Sequence, residues 1–294
     1  MTFTAKKIQI NQNQVMTYHL DKGHANTLLL IHGGPGSTSL SLRETHSFYS
    51  EHGFNILTWD QLGCGESDQP DHDEHWHLDY FVEELKSILD HYGLQQVHIL
   101  GRSWGGILAQ AFLVQYPERV QSIILGGTTP SCPLMQKGFE RIKMSLGLTT
   151  FNMMSRREFQ GSTAHPEYKA AIDLLLYRHF CRLEVWPDAL KKMLSAASKR
   201  VMHSIFGKYL FNCSGSIKDF DCTAALSKLD HRALIMHGEH DYISLDCAKL
   251  LRDSLKNSEV AMLENCSHMA FYENPDLYHR HVLGFLESTR GSIS

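Results

Sequence analysis

The chemistry of this chain centres on a serine set between glycines. "GRSWG" (101–105) follows the apolar run "QVHIL" and opens the helix-like run "WGGILAQAFLVQY". A serine in that context sits on a sharp strand-to-helix turn, a nucleophile elbow, whose neighbours must be small where helix and strand crowd it. Five residues of this kind are common in proteins; the apolar run ahead and the helix behind make Ser103 a candidate nucleophile. A serine hydroxyl is a poor nucleophile near neutral pH, so it needs a base, and the base needs an orienting acid. With this elbow the chain order is serine, then aspartate or glutamate, then histidine. Asp241 ends "ALIMHGEHD" and His268 lies near the end of "EVAMLENCSHM", each after a strand-like run. Asp246 is a rival acid further from the strand end, while His237 and His240 precede the acid and stand in the wrong order for the base. Charge developing on a carbonyl oxygen also needs backbone N–H donors. Trp104, directly after the serine, and Gly34, in the loop "HGGPG" (32–36), are the expected pair.

The elements that must position these groups are visible as short Ile/Leu/Val-rich runs ending in glycine or aspartate: "NTLLLIHGG", "FNILTWD", "QVHILG", "QSIILGG" and "RALIMHGEHD". Lack of strict alternation marks strands buried on both faces of a parallel sheet. Helix-like segments lie between them. Asp79 is the expected cap of "YFVEELKSILDHYG", with Gly93 as its stop. "WGGILAQAFLVQY" sets Ile107, Leu108, Ala111 and Phe112 on one face. Alternating strands and helices imply a doubly wound, mostly parallel α/β core. After Pro130 the pattern turns helical, with Pro166 and Pro187 suited to first-turn positions, and strand-like runs return at Ala233. One α/β domain (1–130 and 218–294) is therefore expected to be divided by a helical insertion (131–217).

With 28 basic against 32 acidic residues and a net charge of −4, nothing electrostatic points to nucleic acid or anionic lipid. No apolar run is long enough to cross a bilayer, and the first residues lack the apolar stretch of a signal peptide. Seven scattered cysteines without a CxxC pair read as reduced thiols of a cytoplasmic protein. The histidine-rich run "DHDEHWHLD" (71–79), with His72, His75 and His77, has no recognisable zinc spacing and reads as a solvated loop. The expectation is a small-molecule or short-peptide substrate, with no metal and no organic cofactor.

The motifs "HGGPG", "WDQLGCGESD", "GRSWGG", "GEHD" and "CSHM", in this order and spacing, resemble the proline iminopeptidase family of α/β-hydrolases, and "HPEY", "VWPDAL" and "GSIKDFD" extend the resemblance into the insertion. The resemblance implies an α/β-hydrolase fold in which the insertion forms a cap over the site. It also implies release of an N-terminal residue, typically proline, from short peptides. Ser103 would form an aminoacyl-enzyme, His268 would move the protons, and Asp241 would hold the imidazole. Gly33, Tyr209, Leu210 and Tyr242 would line the substrate pocket. Two positions depart from the family. "GKYLF" puts Leu210, and the residue after the acid puts Tyr242, where one branch carries glutamates that hold the substrate ammonium. Glu158, Glu167 and Glu184 stand as candidate substitutes in the insertion. A neutral or acylated substrate, cleaved by an esterase, lactonase or amidase, is the alternative expectation. Arg102 and Leu62 also depart. Arg102 is either a cation for a substrate carboxylate or a side chain paired with a local carboxylate or carbonyl. Cys64 is expected to be a packing residue, and Cys266, near His268, a point of sensitivity to thiol reagents.

Overall fold

The computed structural model describes residues 2–290. Within them, eight strands form one sheet: β1 (Thr4–Ile10), β2 (Asn13–Leu20), β3 (Asn26–Ile31), β4 (Phe54–Asp60), β5 (Val97–Arg102), β6 (Val120–Gly126), β7 (Arg232–Gly238) and β8 (Ser258–Leu263). Their order across the sheet is β1-β2-β4-β3-β5-β6-β7-β8. β1 pairs with β2, and β2 with β4, in antiparallel fashion; the other pairings are parallel. The β1–β2 hairpin is the part of the sheet that the apolar runs do not announce. Only Ile8 and Ile10 of β1 are buried, so it reads as a polar edge.

The central strands are apolar throughout because both faces are covered. Successive side chains point to opposite faces. Leu29, Ile31, Leu57, Ile99 and Ile123 enter one core, while Leu28, Leu30, Ile56, Leu100 and Ile124 enter the other. Helix Trp104–Gln115 packs into the first core through Ile107, Leu108 and Phe112, and helix Pro275–Arg290 into the second through Val282, Phe285 and Leu286. Burying one such side chain stabilises the fold by about 1.5–3 kcal/mol. Helix Trp104–Gln115 is buried nearly all round rather than on one face, since it lies under the loops that follow β3 and β6.

Helix Leu78–His91 is capped by His77, whose ring accepts from the Tyr80 N–H; Asp79 falls in the first turn instead, where its charge suits the helix dipole. Pro166 opens its helix as expected, but Pro187 is the cap residue before helix Asp188–Ser195. The helical run after Trp186 breaks in two. Ser198 caps a second helix, Lys199–Ile205, and donates its backbone N–H to the Gly36 carbonyl at 2.7 Å. That contact ties the segment between β6 and β7 to the "HGGPG" loop. The same segment leaves and rejoins the sheet through a paired neck, where Ser131 bridges Asp221 and the Cys132 N–H donates to the Phe220 carbonyl at 2.8 Å.

Between β5 and the helix that follows, Ser103 adopts φ 55° and ψ −123°, a conformation that costs a non-glycine residue about 1–3 kcal/mol. Surrounding bonds hold it there: its N–H donates to the Gly126 carbonyl at 3.0 Å, and its carbonyl accepts from Thr128 Oγ1 at 2.7 Å. The turn also requires backbones in contact. A Cβ on Gly101 would lie 2.4 Å from the Gly105 carbonyl oxygen, and one on Gly105 would lie 2.3 Å from that of Ile31.

Gly105→Ala is therefore expected to lower the unfolding free energy by about 1–3 kcal/mol in a guanidinium titration. Gly284→Ala, in helix Pro275–Arg290 with open space at the Cβ, should raise it by roughly 0.5–1 kcal/mol. Equal and small effects of the two changes would contradict the crowding described at the elbow.

Candidate active site

The loops that leave the carboxyl ends of the parallel strands converge on one place. Gly33 and Gly34 follow β3, Ser103 follows β5, Asp241 follows β7 and His268 follows β8. This is the edge at which open α/β sheets bind ligands. His268 Nδ1 lies 2.9 Å from Asp241 Oδ1 and 3.1 Å from Oδ2. An ionised carboxylate only accepts, so Nδ1 carries the proton and Nε2 of the neutral ring keeps its lone pair. Asp241 Oδ1 also accepts from the Ile243 N–H at 2.8 Å. Both side chains are buried. Gly127 makes room for them, since a Cβ there would meet Asp241 Oδ2 at 2.6 Å and His268 Nδ1 at 2.9 Å.

Burial pushes the His268 imidazole below its usual range, against the pull of Asp241 in the other direction. Burial pushes the Asp241 carboxyl up, but His268 beside it and the Ile243 N–H leave it below the ordinary carboxylate range. The pair is therefore a neutral imidazole on a carboxylate, the state that accepts a proton.

Asp246 is excluded as the acid, because it is an exposed partner of Arg141 at 2.7 Å. His237 is buried behind the pair, while the His240 carbonyl accepts from His179 Nδ1 at 2.8 Å. Neither forms the carboxylate contact that His268 forms.

Gly33, Gly34, Ser103, Trp104, Tyr242 and His268 all border one cavity of about 210 Å³. Gly33 lies directly over the serine, where a Cβ would sit 3.3 Å from Ser103 Cβ. Trp104 opens its helix, and the first N–H groups of a helix have no intrahelical acceptor. The link between the two loops is a residue sequence reasoning missed. Gln61, in "DQLG", accepts from Trp104 Nε1 at 2.8 Å and donates to the His32 carbonyl at 3.3 Å, while its own N–H donates to His32 Nε2 at 3.2 Å. The neighbouring Asp60 holds Ser39 through its N–H and hydroxyl, both at 2.8 Å. The signal was present as the polar dipeptide at the end of β4, but its partners lie far away in the chain.

The far wall of the cavity comes from the segment between β6 and β7, through Phe139, Leu176, Phe180, Met193, Phe206 and Phe211. Leu210 borders the cavity. Tyr209 does not. The chain turns at Phe211 (φ 58°), and the Tyr209 ring instead faces Lys208 Nζ at 5.6 Å. Among the described residues, no aspartate or glutamate lines the cavity. Glu158 is buried against Lys143 at 3.3 Å and Tyr168 at 3.0 Å, Glu167 faces Arg157 at the surface, and Glu184 is exposed.

Arg102 is buried and takes local partners. Its guanidinium donates to the His268 carbonyl and lies 4.6 Å above the Phe271 ring. It fixes the loop that carries His268. Leu62 is buried, with its N–H directed to Glu84 at 3.1 Å. Burial and the nearby Asp60 push the Cys64 thiol well up, which suits packing rather than attack. Cys266 is buried and borders none of the cavity, and burial pushes its thiol to about 11, so a reagent filling the cavity does not meet it. In the histidine run, His77 is used as a cap, and the ligand atoms of His72, Glu74 and His75 lie within 4.8 Å of one another at the surface.

This fold is shared with known proteins. Residues 26–275 match the α/β hydrolase fold family, and the chain belongs to it: it is a hydrolase. Relatives narrow the family. The chain is 32% identical to a proline iminopeptidase of Thermoplasma volcanium, over 88% of each chain. It is 31% identical to one from Heyndrickxia coagulans, over 97% of this chain and 99% of the relative. The crystal structure of the Mycobacterium smegmatis proline iminopeptidase superposes with a TM-score of 0.89 at 24% identity, covering 97% and 98% of the two chains. That of VinJ superposes with a TM-score of 0.91 at 23% identity. Within the α/β hydrolases, the chain is a member of the proline iminopeptidase family.

The imidazole predicts a pH profile. Its neutral form accepts protons, and its protonation is shifted below the usual 6.5 by burial. In a pH–rate series, kcat/KM should hold level near pH 7 and fall along an acidic limb centred below that value. A limb centred above it would contradict the burial-dominated shift.

Proposed function

We propose that the chain is a serine hydrolase of the proline iminopeptidase type, releasing an N-terminal residue from short peptides through an acyl-enzyme. The observation that carries the proposal is the buried Asp241–His268 pair at the cavity wall beside a strained Ser103, in a chain similar to proline iminopeptidases along nearly its whole length. Ser103 is assigned as nucleophile, His268 as the base and then the acid, and Asp241 as the group that holds its tautomer. The Gly34 and Trp104 N–H groups are assigned to the developing oxyanion. The segment 131–217 acts as the cap, which its apolar wall of the cavity supports. A cytoplasmic location is in keeping with seven free cysteines.

One observation favours a second reading. An α-ammonium taken into this cavity finds no carboxylate, and burying an unpaired cation costs several kcal/mol. An ester, lactone or blocked amide, carrying no charge at that end, suits Leu210 and the phenyl rings better. The two readings share the same catalytic groups and differ in what they bind.

Turnover of proline p-nitroanilide, its N-acetyl derivative and p-nitrophenyl acetate separates them. The peptidase reading expects the free amine to be preferred over its acetylated form by about 10⁴-fold or more, the scale on which a site built to hydrogen-bond a polar group rejects an analogue lacking it. Equal or faster turnover of the blocked amide would overturn that reading in favour of the second. On any substrate turned over, Ser103→Ala should lower kcat by about 10³-fold or more with an unchanged circular dichroism spectrum; substantial residual activity would reassign the nucleophile.

A further inference from the structure

The cavity carries one sign of charge and not the other. Among the described residues, Arg102 is the lysine or arginine in its lining, and no aspartate or glutamate joins it. The positions that hold a substrate ammonium in one branch of the family carry Leu210 and Tyr242 here. What the site presents to a ligand is a cation.

The Arg102 side chain is only 6% exposed, and no carboxylate partners it among the described residues. It lies over the end of β6, where Gly126 leaves room: a Cβ there would come 3.3 Å from Nε. A guanidinium carries five N–H groups and no acceptor. Nη2 donates to the His268 carbonyl, Nη1 faces Met269 Sδ at 3.9 Å, and Nε has no partner among the described residues. A thioether is a weak acceptor, and the carbonyl is uncharged. The Phe271 ring, 4.6 Å away, adds a cation–π contact but no countercharge. Burial pushes the neighbouring His46 imidazole well below its usual range and the Tyr278 phenol up to about 12, so both are neutral near neutral pH. Burying a charge without a countercharge costs several kcal/mol, and an entering anion would relieve that cost.

We propose that Arg102 is a subsite for a carboxylate of the substrate. The proposal rests on reading the cavity at Ser103 as the substrate site. Met269 and Phe271, which cover the guanidinium, both border the cavity. Met269 is the adaptable part of that cover, because its side chain is unbranched and flexible. Turning it aside gives up one weak contact and opens Nη1 to the cavity. The carboxylate takes the place of the thioether through charge-assisted hydrogen bonds, while Nη2 keeps the His268 carbonyl. Arg102 precedes Ser103 in the chain and is bonded to the loop of His268, so an anion held there is registered against both. The ligand class is a short organic acid with an ester or amide carbonyl a few bonds from its carboxylate. Two sources share that chemistry: a small ester or amide with no amine, and a dipeptide, through its C-terminus.

Calorimetric titration of the full-length protein tests this without turnover. Phenylbutyrate, a carboxylate with an apolar tail for the aromatic wall, is compared with its uncharged isostere phenylbutyramide. Wild-type protein should bind the acid about 10-fold or more tightly, the scale of one hydrogen bond to a charged group. Arg102→Gln keeps an N–H for the His268 carbonyl but loses the charge, and should abolish the preference; Arg102→Lys, which keeps the charge, should retain part of it. Equal binding of acid and amide by the wild type, no binding of the acid, or the full preference in Arg102→Gln would each overturn the proposal, and the first two need no variant. Titrating Ser103→Ala protein with prolylglycine and prolylglycinamide separates the sources. A preference for the acid there as well supports the peptide C-terminus, whereas a preference with phenylbutyrate alone supports a substrate without an amine. The underlying reading is tested apart from this. Turnover surviving in Ser103→Ala would overturn the nucleophile assignment, whereas loss of turnover there with equal binding of acid and amide would overturn the carboxylate subsite alone.

Discussion

The turn at Ser103 is the constraint on which the rest of the site depends. A non-glycine residue at φ 55° and ψ −123° is held only because its amide, its carbonyl and the flanking backbones have nowhere else to go. Gly101 and Gly105 let β5, the following helix and the end of β3 come into backbone contact, and that contact brings the "HGGPG" loop over the serine. The strain is offset by the two apolar cores on either side of the sheet, into which the strand and helix are packed. Relaxing the turn would displace Trp104, then Gln61 and then His32, since these are joined in one hydrogen-bonded chain.

The Asp241–His268 pair is built by the same economy of space. Gly127 leaves room for the Asp241–His268 contact, and the Arg102 guanidinium, from the residue beside the serine, holds the His268 carbonyl. Ser103 and His268 are therefore coupled through the elbow itself. Around them the cavity wall is largely apolar, with Arg102 as the lysine- or arginine-type cation in its lining. In such surroundings a charge without a partner is costly, which favours a neutral imidazole and a protonated Tyr242 phenol and constrains what the substrate brings in.

Much of this was legible in the sequence. β3 to β7 are apolar on both faces, so their runs stand out, and the glycines, Asp241 and His268 fall where strand ends place them. The β1 edge was not legible, because a half-exposed strand carries little apolar signal. Helix starts were misread where a side chain other than the usual cappers supplied the acceptor, as at His77. Contacts between residues far apart were beyond one-dimensional reasoning: Gln61 bridging two loops, and the Tyr242 hydroxyl at His268 Nε2. Tyr209 shows the same limit in reverse. A turn at Phe211 sends Leu210 to the cavity and its neighbour away from it.

The proposed function requires that Ser103 carry the acyl group. Rapid acid quench of the protein mixed with p-nitrophenyl butyrate, followed by peptide mass spectrometry, measures this most directly. A butyryl adduct on the peptide containing Ser103 is expected, formed in the burst before steady turnover. Turnover without any adduct, or with the acyl group on another residue, would contradict it.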